Sequence, residues 1–154
     1  MTELLLPVYR EGPLLRLLDQ RLLPANEVWL TLEKTSEVAL AIREMAVRGA
    51  PSIGVAAAYG AAFSMRSGRT TTVQERFDTA SNVLAATRPT AVNLFAALDR
   101  MERRFREVEE EPPERIETAL LAEADAVAAE ALESSQRLGR HGAELLAGGS
   151  TVLT

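Results

Sequence analysis

Hydrophobic positions change their spacing once along this chain, near residue 34. Before that point they fall in short runs. "LLLPVYR" (4–10) and "PLLRLLDQ" (13–20) flank Glu11-Gly12, a turn pair, and "EVWLTLE" (27–33) sets Val28, Leu30 and Leu32 against Trp29, Thr31 and Glu33. Such runs and such alternation predict three strands, most simply antiparallel. Beyond residue 34 the spacing is helical. "TSEVALAIREMAV" (35–47) opens with Thr35 or Ser36 as N-cap and repeats Val38, Ile42 and Met45. "PSIGVAAAYGAAFSMRS" (51–67) is small and apolar on nearly every face, which predicts the buried central helix. A third helix starts at "TTVQE", with Thr72 and Glu75 as a capping box and a stripe of Val73, Phe77, Ala80, Val83 and Leu84. "TAVNLFAALDRMERRFREVEE" (90–110) carries Leu94, Leu98, Met101, Phe105 and Val108 for a neighbouring helix. Pro112-Pro113 end it. A last long helix is expected from about Pro113 to Leu146, with Ile116, Leu120, Val127, Ala131 and Leu138 on one side.

The fold class is therefore α+β: N-terminal antiparallel strands over 1–34, then a helical bundle over 35–148 in the same domain. Gly148-Gly149 stop the last helix, and "STVLT" at the end reads as the start of a strand. It has two readings, an edge strand pairing back to the hairpin or, preferred, the opening of a second domain over 149–154.

Composition narrows the function classes. At 154 residues, with 47% hydrophobic and 25% charged positions, the chain can bury a full core. A net charge of −5 argues against a nucleic-acid partner, and no apolar run is long enough to span a bilayer. There is no cysteine, hence no disulfide frame and no thiol chemistry in these residues, which fits a cytoplasmic protein.

Chemistry is suggested at two helix junctions. In "VRGAPSIG", Arg48 precedes Gly49-Ala50 and then Pro51, read as the first helical position. In "ATRPTAV", Arg88 directly precedes Pro89, and a helix is expected to start at once. The residue before proline is pushed out of the helical region, so Ala50 and Arg88 mark boundaries. A helix N-terminus presents free N–H groups and a positive dipole end, and an adjacent guanidinium adds a planar charged fork, which together suit phosphate or sugar oxygens. Gly49 can take φ > 0 and admit a ligand close to the backbone. The alternative is that both arginines bond the last carbonyls of the preceding helices. The remaining candidates are weaker. His141 reads as a cation in a last helical turn, Asp19 as a turn holder, Trp29 as a core or interface aromatic, and Asn93 as a second face of the Arg88 crevice. No residue set has metal-ligand spacing or the make-up of a nucleophilic triad, and the glycines of "RGAPSIG" match no nucleotide-binding fingerprint. No cofactor or metal is expected.

These stretches carry a resemblance. "IREMAVRGAPSIGVAAAYG" and "RPTAVNLFAALDRM" resemble the signature stretches of the N-terminal domain of S-methyl-5-thioribose-1-phosphate isomerases. That family is related to the alpha, beta and delta subunits of initiation factor 2B. "LLDQRLLPANEVWLTL" resembles its opening strands and "LGRHGAELLAGGSTVLT" its approach to a Rossmann-like second domain. The resemblance implies an aldose–ketose isomerisation of 5-methylthioribose 1-phosphate in methionine salvage, with Arg48, Gly49, Ala50 and Arg88 binding substrate. It also implies a catalytic cysteine just after the "VLT" strand and an aspartate further on, neither of which has a position here. The expectation is a substrate-binding N-terminal domain that is inactive alone, completed by a C-terminal domain in cis or trans, with a second copy of the chain a further candidate partner. Three readings stay open: that domain, or its ribose-1,5-bisphosphate isomerase counterpart; a regulatory domain of the initiation-factor branch; and a helical interaction module whose arginines are structural.

Overall fold

The computed structural model describes residues 6–67, 71–146, 148 and 151. Strands β1 (Val8–Glu11), β2 (Leu14–Leu18) and β3 (Trp29–Leu32) form an antiparallel sheet in that order, followed by α1 (Thr35–Arg43), α2 (Ala50–Ala62), α3 (Val73–Ala85), α4 (Val92–Val108) and α5 (Pro113–Glu144). The α+β class read from the residues is the architecture observed. The strand expected over 150–154 lies, apart from the irregular Thr151, outside the described residues.

The sheet pairs Val8 with Leu17 with Leu30, and Arg10 with Leu15 with Leu32, so these six share one face. Leu15 and Leu17 are fully buried there against the helices. On the other face Trp29 meets Tyr9 edge to face at 5.4 Å. The loop between β2 and β3 holds a cis Leu23–Pro24 bond.

Central helix α2 packs against α1, α3, α4 and α5, and its residues 53–62 are all buried. A helix with no polar face has to be surrounded, because any side left to water would forfeit its apolar burial. Alanine and glycine dominate it, so its neighbours approach closely. At Gly54 an added Cβ would lie 2.9 Å from the Asn93 carbonyl oxygen, so only glycine permits the α2–α4 crossing. Thr72 caps α3 as its spacing predicts: its hydroxyl accepts from Glu75 N at 3.1 Å, and the Glu75 carboxylate accepts from Thr72 N at 2.9 Å. Phe77 of α3 stacks on Phe105 of α4 at 4.4 Å. The Arg66 guanidinium lies 3.8 Å above the Phe63 ring, donates to Glu117 on α5 at 2.6 Å, and reaches the Glu33 carbonyl at 3.0 Å.

Four local readings are corrected. Helix α1 is preceded by Lys34 as N-cap, because the Thr35 hydroxyl is drawn inward to the Gly60 carbonyl at 2.8 Å. Met45 is not part of the core stripe: it is 44% exposed, while Ala46 and Val47 are buried. The helix ends before it, and the chain reverses through Met45. Leu138 is 71% exposed, since α5 runs on past the bundle that buries Ile116, Leu120 and Ala124. Val83 lies at the margin of its stripe, at 38% exposure.

Candidate functional site

The first candidate segment follows from how α1 ends. Met45 takes φ +57°, the left-handed region, without being glycine. Its N–H donates to the Ile42 carbonyl at 3.2 Å, and Ala46 N donates to the Ala41 carbonyl at 2.9 Å. This pair of bonds is the Schellman closure, in which the left-handed residue turns the chain so that two orphan carbonyls are satisfied. Ala46 and Val47 then plug the core, which leaves Arg48 exposed at the surface. Gly49 follows at φ +86°, ψ 131° as the N-cap of α2, with Ala50 the first and Pro51 the second helical residue. That places Pro51 one position later than its sequence context suggests.

Arg48 donates from Nε to the Met45 carbonyl at 3.3 Å. This is the carbonyl contact offered above as the alternative role, made through one long bond that leaves both terminal nitrogens unengaged among the described residues. The junction is clamped from the sheet side. Gln20 N donates to the Ala46 carbonyl at 2.9 Å, and Asp19 N to the Val28 carbonyl at 2.8 Å. Buried Asp19 accepts two bonds from the Arg21 side chain, at 2.8 and 2.7 Å, and one from Arg21 N at 3.1 Å. The Arg21 side-chain bond is the main cause that holds the Asp19 carboxyl below its usual range, and the Arg48 charge adds to it. Asp19 is thus a turn holder whose field also acts on Arg48.

The second segment differs from its reading. Helix α4 does not start at Pro89. Arg88 to Ala91 form a turn closed by Ala91 N on the Arg88 carbonyl at 3.0 Å, and the helix begins at Val92 behind Ala91. The two junctions therefore do not share one construction. The arginine itself gains interest. The Leu84 carbonyl at the end of α3 is taken by Thr87, through its N–H at 3.0 Å and its hydroxyl at 2.6 Å. Arg88 is half-buried, and its guanidinium has no hydrogen-bond or charge partner among the described residues.

The Gly54–Asn93 contact sets the N-terminal portions of α2 and α4 against each other. A cleft of about 370 Å³ lies along that crossing, lined by Pro51, Gly54, Asn93, Arg100 and Ser135 among others. One of about 460 Å³ lies on the other flank of Pro51, against Arg10, Ser52, Tyr59 and Asp125. Arg48, Gly49, Ala50 and Arg88 line neither. Asn93 lines the first of them. His141 is a surface residue in the last turn of α5, 3.7 Å from Glu144, and no acidic or histidine cluster suited to a metal occurs among the described residues.

A polar centre at the larger cleft escaped the sequence reading. Tyr59 on α2 donates to Asp125 Oδ1 on α5 at 2.8 Å, and Arg10 on β1 grips both carboxylate oxygens at 2.8 and 2.5 Å. Burial first, and then the bond to Asp125, push the Tyr59 hydroxyl above its ordinary range, so it remains a donor. The Arg10 bond holds Asp125 below its usual range. The available signal was the phenol in "AAAYGAAF": a tyrosine inside an all-apolar helix needs a partner for its hydroxyl.

A family model described as "Initiation factor 2 subunit family" matches residues 46–154. Over 149 residues the chain is 50% identical to the methylthioribose-1-phosphate isomerase of Syntrophotalea carbinolica, covering 95% of this chain and 43% of that protein. The fold is similar to the crystal structure of 5-methylthioribose 1-phosphate isomerase from Pyrococcus horikoshii, with TM-score 0.85 and 38% identity, over 94% of this chain and 42% of that one. It is also similar to the translation initiation factor eIF-2B subunit delta from A. fulgidus, with TM-score 0.82 and 35% identity, over 93% and 42% of the two chains. The chain thus spans about two fifths of the length of these proteins. Since the matched residues 46–154 begin at the Ala46–Ala50 junction and run through all of α2 to α5, the chain belongs to the Initiation factor 2 subunit family.

Proposed function

We propose that this chain is the N-terminal, substrate-binding part of a cytoplasmic aldose–ketose isomerase that converts 5-methylthioribose 1-phosphate to 5-methylthioribulose 1-phosphate in methionine salvage. The observation that carries this reading is Arg88, a half-buried guanidinium without a hydrogen-bond or charge partner among the described residues. An unpaired, partly desolvated cation has much to gain from a phosphate and little other reason to be held there. Arg48 adds a second charge at the surface, and Gly49 opens the backbone to the ligand.

The reaction is redox-neutral. C2 of the sugar is oxidised as C1 is reduced, and a hydrogen moves between them, so no external oxidant is needed. A group must remove and return protons, and among Arg48, Gly49, Ala50 and Arg88 none can do so at neutral pH. The acid–base groups, a cysteine and an aspartate in the resembling enzymes, would come from a second domain beginning near 149–154, in cis or in trans. A second copy of the chain is a candidate partner.

Calorimetric titration of the purified chain with 5-methylthioribose 1-phosphate tests this. Saturable binding is expected, weakened about tenfold or more by Arg88→Ala and less by Arg48→Ala, as charge-assisted bonds to phosphate are lost. No ketose product should accumulate. Affinity unchanged in both variants would make the arginines structural, and turnover by the 154-residue chain would refute the division of labour. A regulatory role is the second reading, favoured by the likeness to the eIF-2B subunit delta structure. On that reading the sugar phosphate binds, and no added second domain restores turnover.

A further inference from the structure

A third cleft, of about 370 Å³, lies between the first turn of α1, the 3₁₀ turn at Phe63–Arg66 and α3. We propose that it is a second ligand site, which takes the oxyanion of a small molecule carrying a short apolar portion. Four observations meet there. Ser64 is only 4% exposed, lines the cleft, and its hydroxyl has no hydrogen-bond partner among the described residues. A buried unpaired hydroxyl is costly, so a group that completes its hydrogen bonding binds with advantage. Thr35 N and Ser36 N, the first two of α1, have no partner among the described residues. Glu37 N and Val38 N turn back to the Lys34 carbonyl, and the Glu37 carboxylate covers Glu33 N and Lys34 N instead. Two cations line the space. Lys34 has no carboxylate partner among the described residues, and Arg76 uses only Nε, on the Thr71 carbonyl at 3.2 Å, so that its two terminal nitrogens have no partner among the described residues. The bordering acid, Glu75, is committed to capping Thr72, and its charge offsets one of the two. Ala80 and Val83 supply an apolar wall.

A phosphate or carboxylate seated between Lys34 and Arg76 would accept from the α1 N-terminus while the Ser64 hydroxyl donates to it. Both kinds of oxyanion satisfy this donor set, which includes neither Arg48 nor Arg88. Amide chemical shifts of the full chain, titrated with inorganic phosphate and separately with acetate against a matched chloride control, decide it. At least one oxyanion should give saturable shifts at Thr35, Ser36 and Ser64. Arg76→Gln and Ser64→Ala should each weaken binding about threefold or more at preserved spectral dispersion, and Arg88→Ala should leave it unchanged. The better binder names the oxyanion class. Lys34→Gln, at an exposed position, is the control should Arg76→Gln fail to fold, with the same weakening expected. Non-saturable shifts, shifts matched by chloride, or binding indifferent to both cation variants overturns the proposal. Loss with Arg88→Ala alone would assign the anion to Arg88 and overturn it too.

Discussion

Gly49 and Met45 face the same conformational problem and solve it differently. At φ +86°, ψ 131° the backbone of Gly49 lies where a Cβ collides with its own chain, although the space around it is open. Gly49→Ala should therefore destabilise the fold by about 1–3 kcal/mol in urea titration, and an unchanged midpoint would show that the junction relaxes. Met45 occupies a left-handed position that glycine fills in most helices. Met45→Gly should raise stability by about 0.5–1 kcal/mol, since the left-handed penalty disappears while a half-exposed side chain gives up little packing. A lower midpoint instead would assign the Met45 side chain a packing role. Both residues were within view in "EMAVRGAP", but only the glycine announced itself. A methionine carries no preference for φ > 0, and the requirement for a tight reversal arises only when Ala46 and Val47 must reach the core.

Between neighbouring helices and strands, the tie that matters most is Tyr59 to Asp125 to Arg10, which joins α2, α5 and β1. Tyr59→Phe removes one donor from a carboxylate that keeps Arg10. The expected loss is about 0.5–1.5 kcal/mol, with a rise in the Asp125 pKa readable by carboxyl NMR. If that pKa stays put, the phenol is not the donor. Capping and stripes on single helices were legible because they depend on residues three or four apart: Thr72 and Glu75, or Leu94, Leu98, Met101 and Phe105. The Arg10–Asp125 pair spans 115 positions, and local spacing carries no information about it. The start of α4 fell between these cases. Arg88-Pro89 does mark a boundary, but proline is equally suited to a turn, and Ala91 N closing on the Arg88 carbonyl chose the turn.

For the domain entire, the titrating groups set a pH window. Asp19, Asp125, Glu75 and Glu130 all lie below their ordinary values, held respectively by the Arg21 side chain, the Arg10 side chain, the Thr72 backbone N–H and the Arg100 side chain. A carboxyl depressed on folding contributes stability above its unfolded value, about 4, and that contribution is lost as pH falls through the folded values. Tyr59, raised on folding, acts in the opposite direction: its contribution holds below about 10 and fades as pH rises further. Unfolding free energy against pH should thus be level between these limits and fall on either side. Asp19→Asn with Asp125→Asn should flatten the acid limb, and an acid limb as steep as in the parent chain would place its origin elsewhere. From the residues in order came the succession of strands and helices and the buried character of α2, because periodicity and capping are local. Packing alone decided that Gly54 meets Asn93, which sets the start of α4 against α2. It also decided that Arg48 is tied to a carbonyl, and that the Arg88 guanidinium and the buried Ser64 hydroxyl have no partner among the described residues. Contacts of this kind exist only once distant segments close around α2, and the spacing of residues along a chain does not encode which polar atoms are left over when they do.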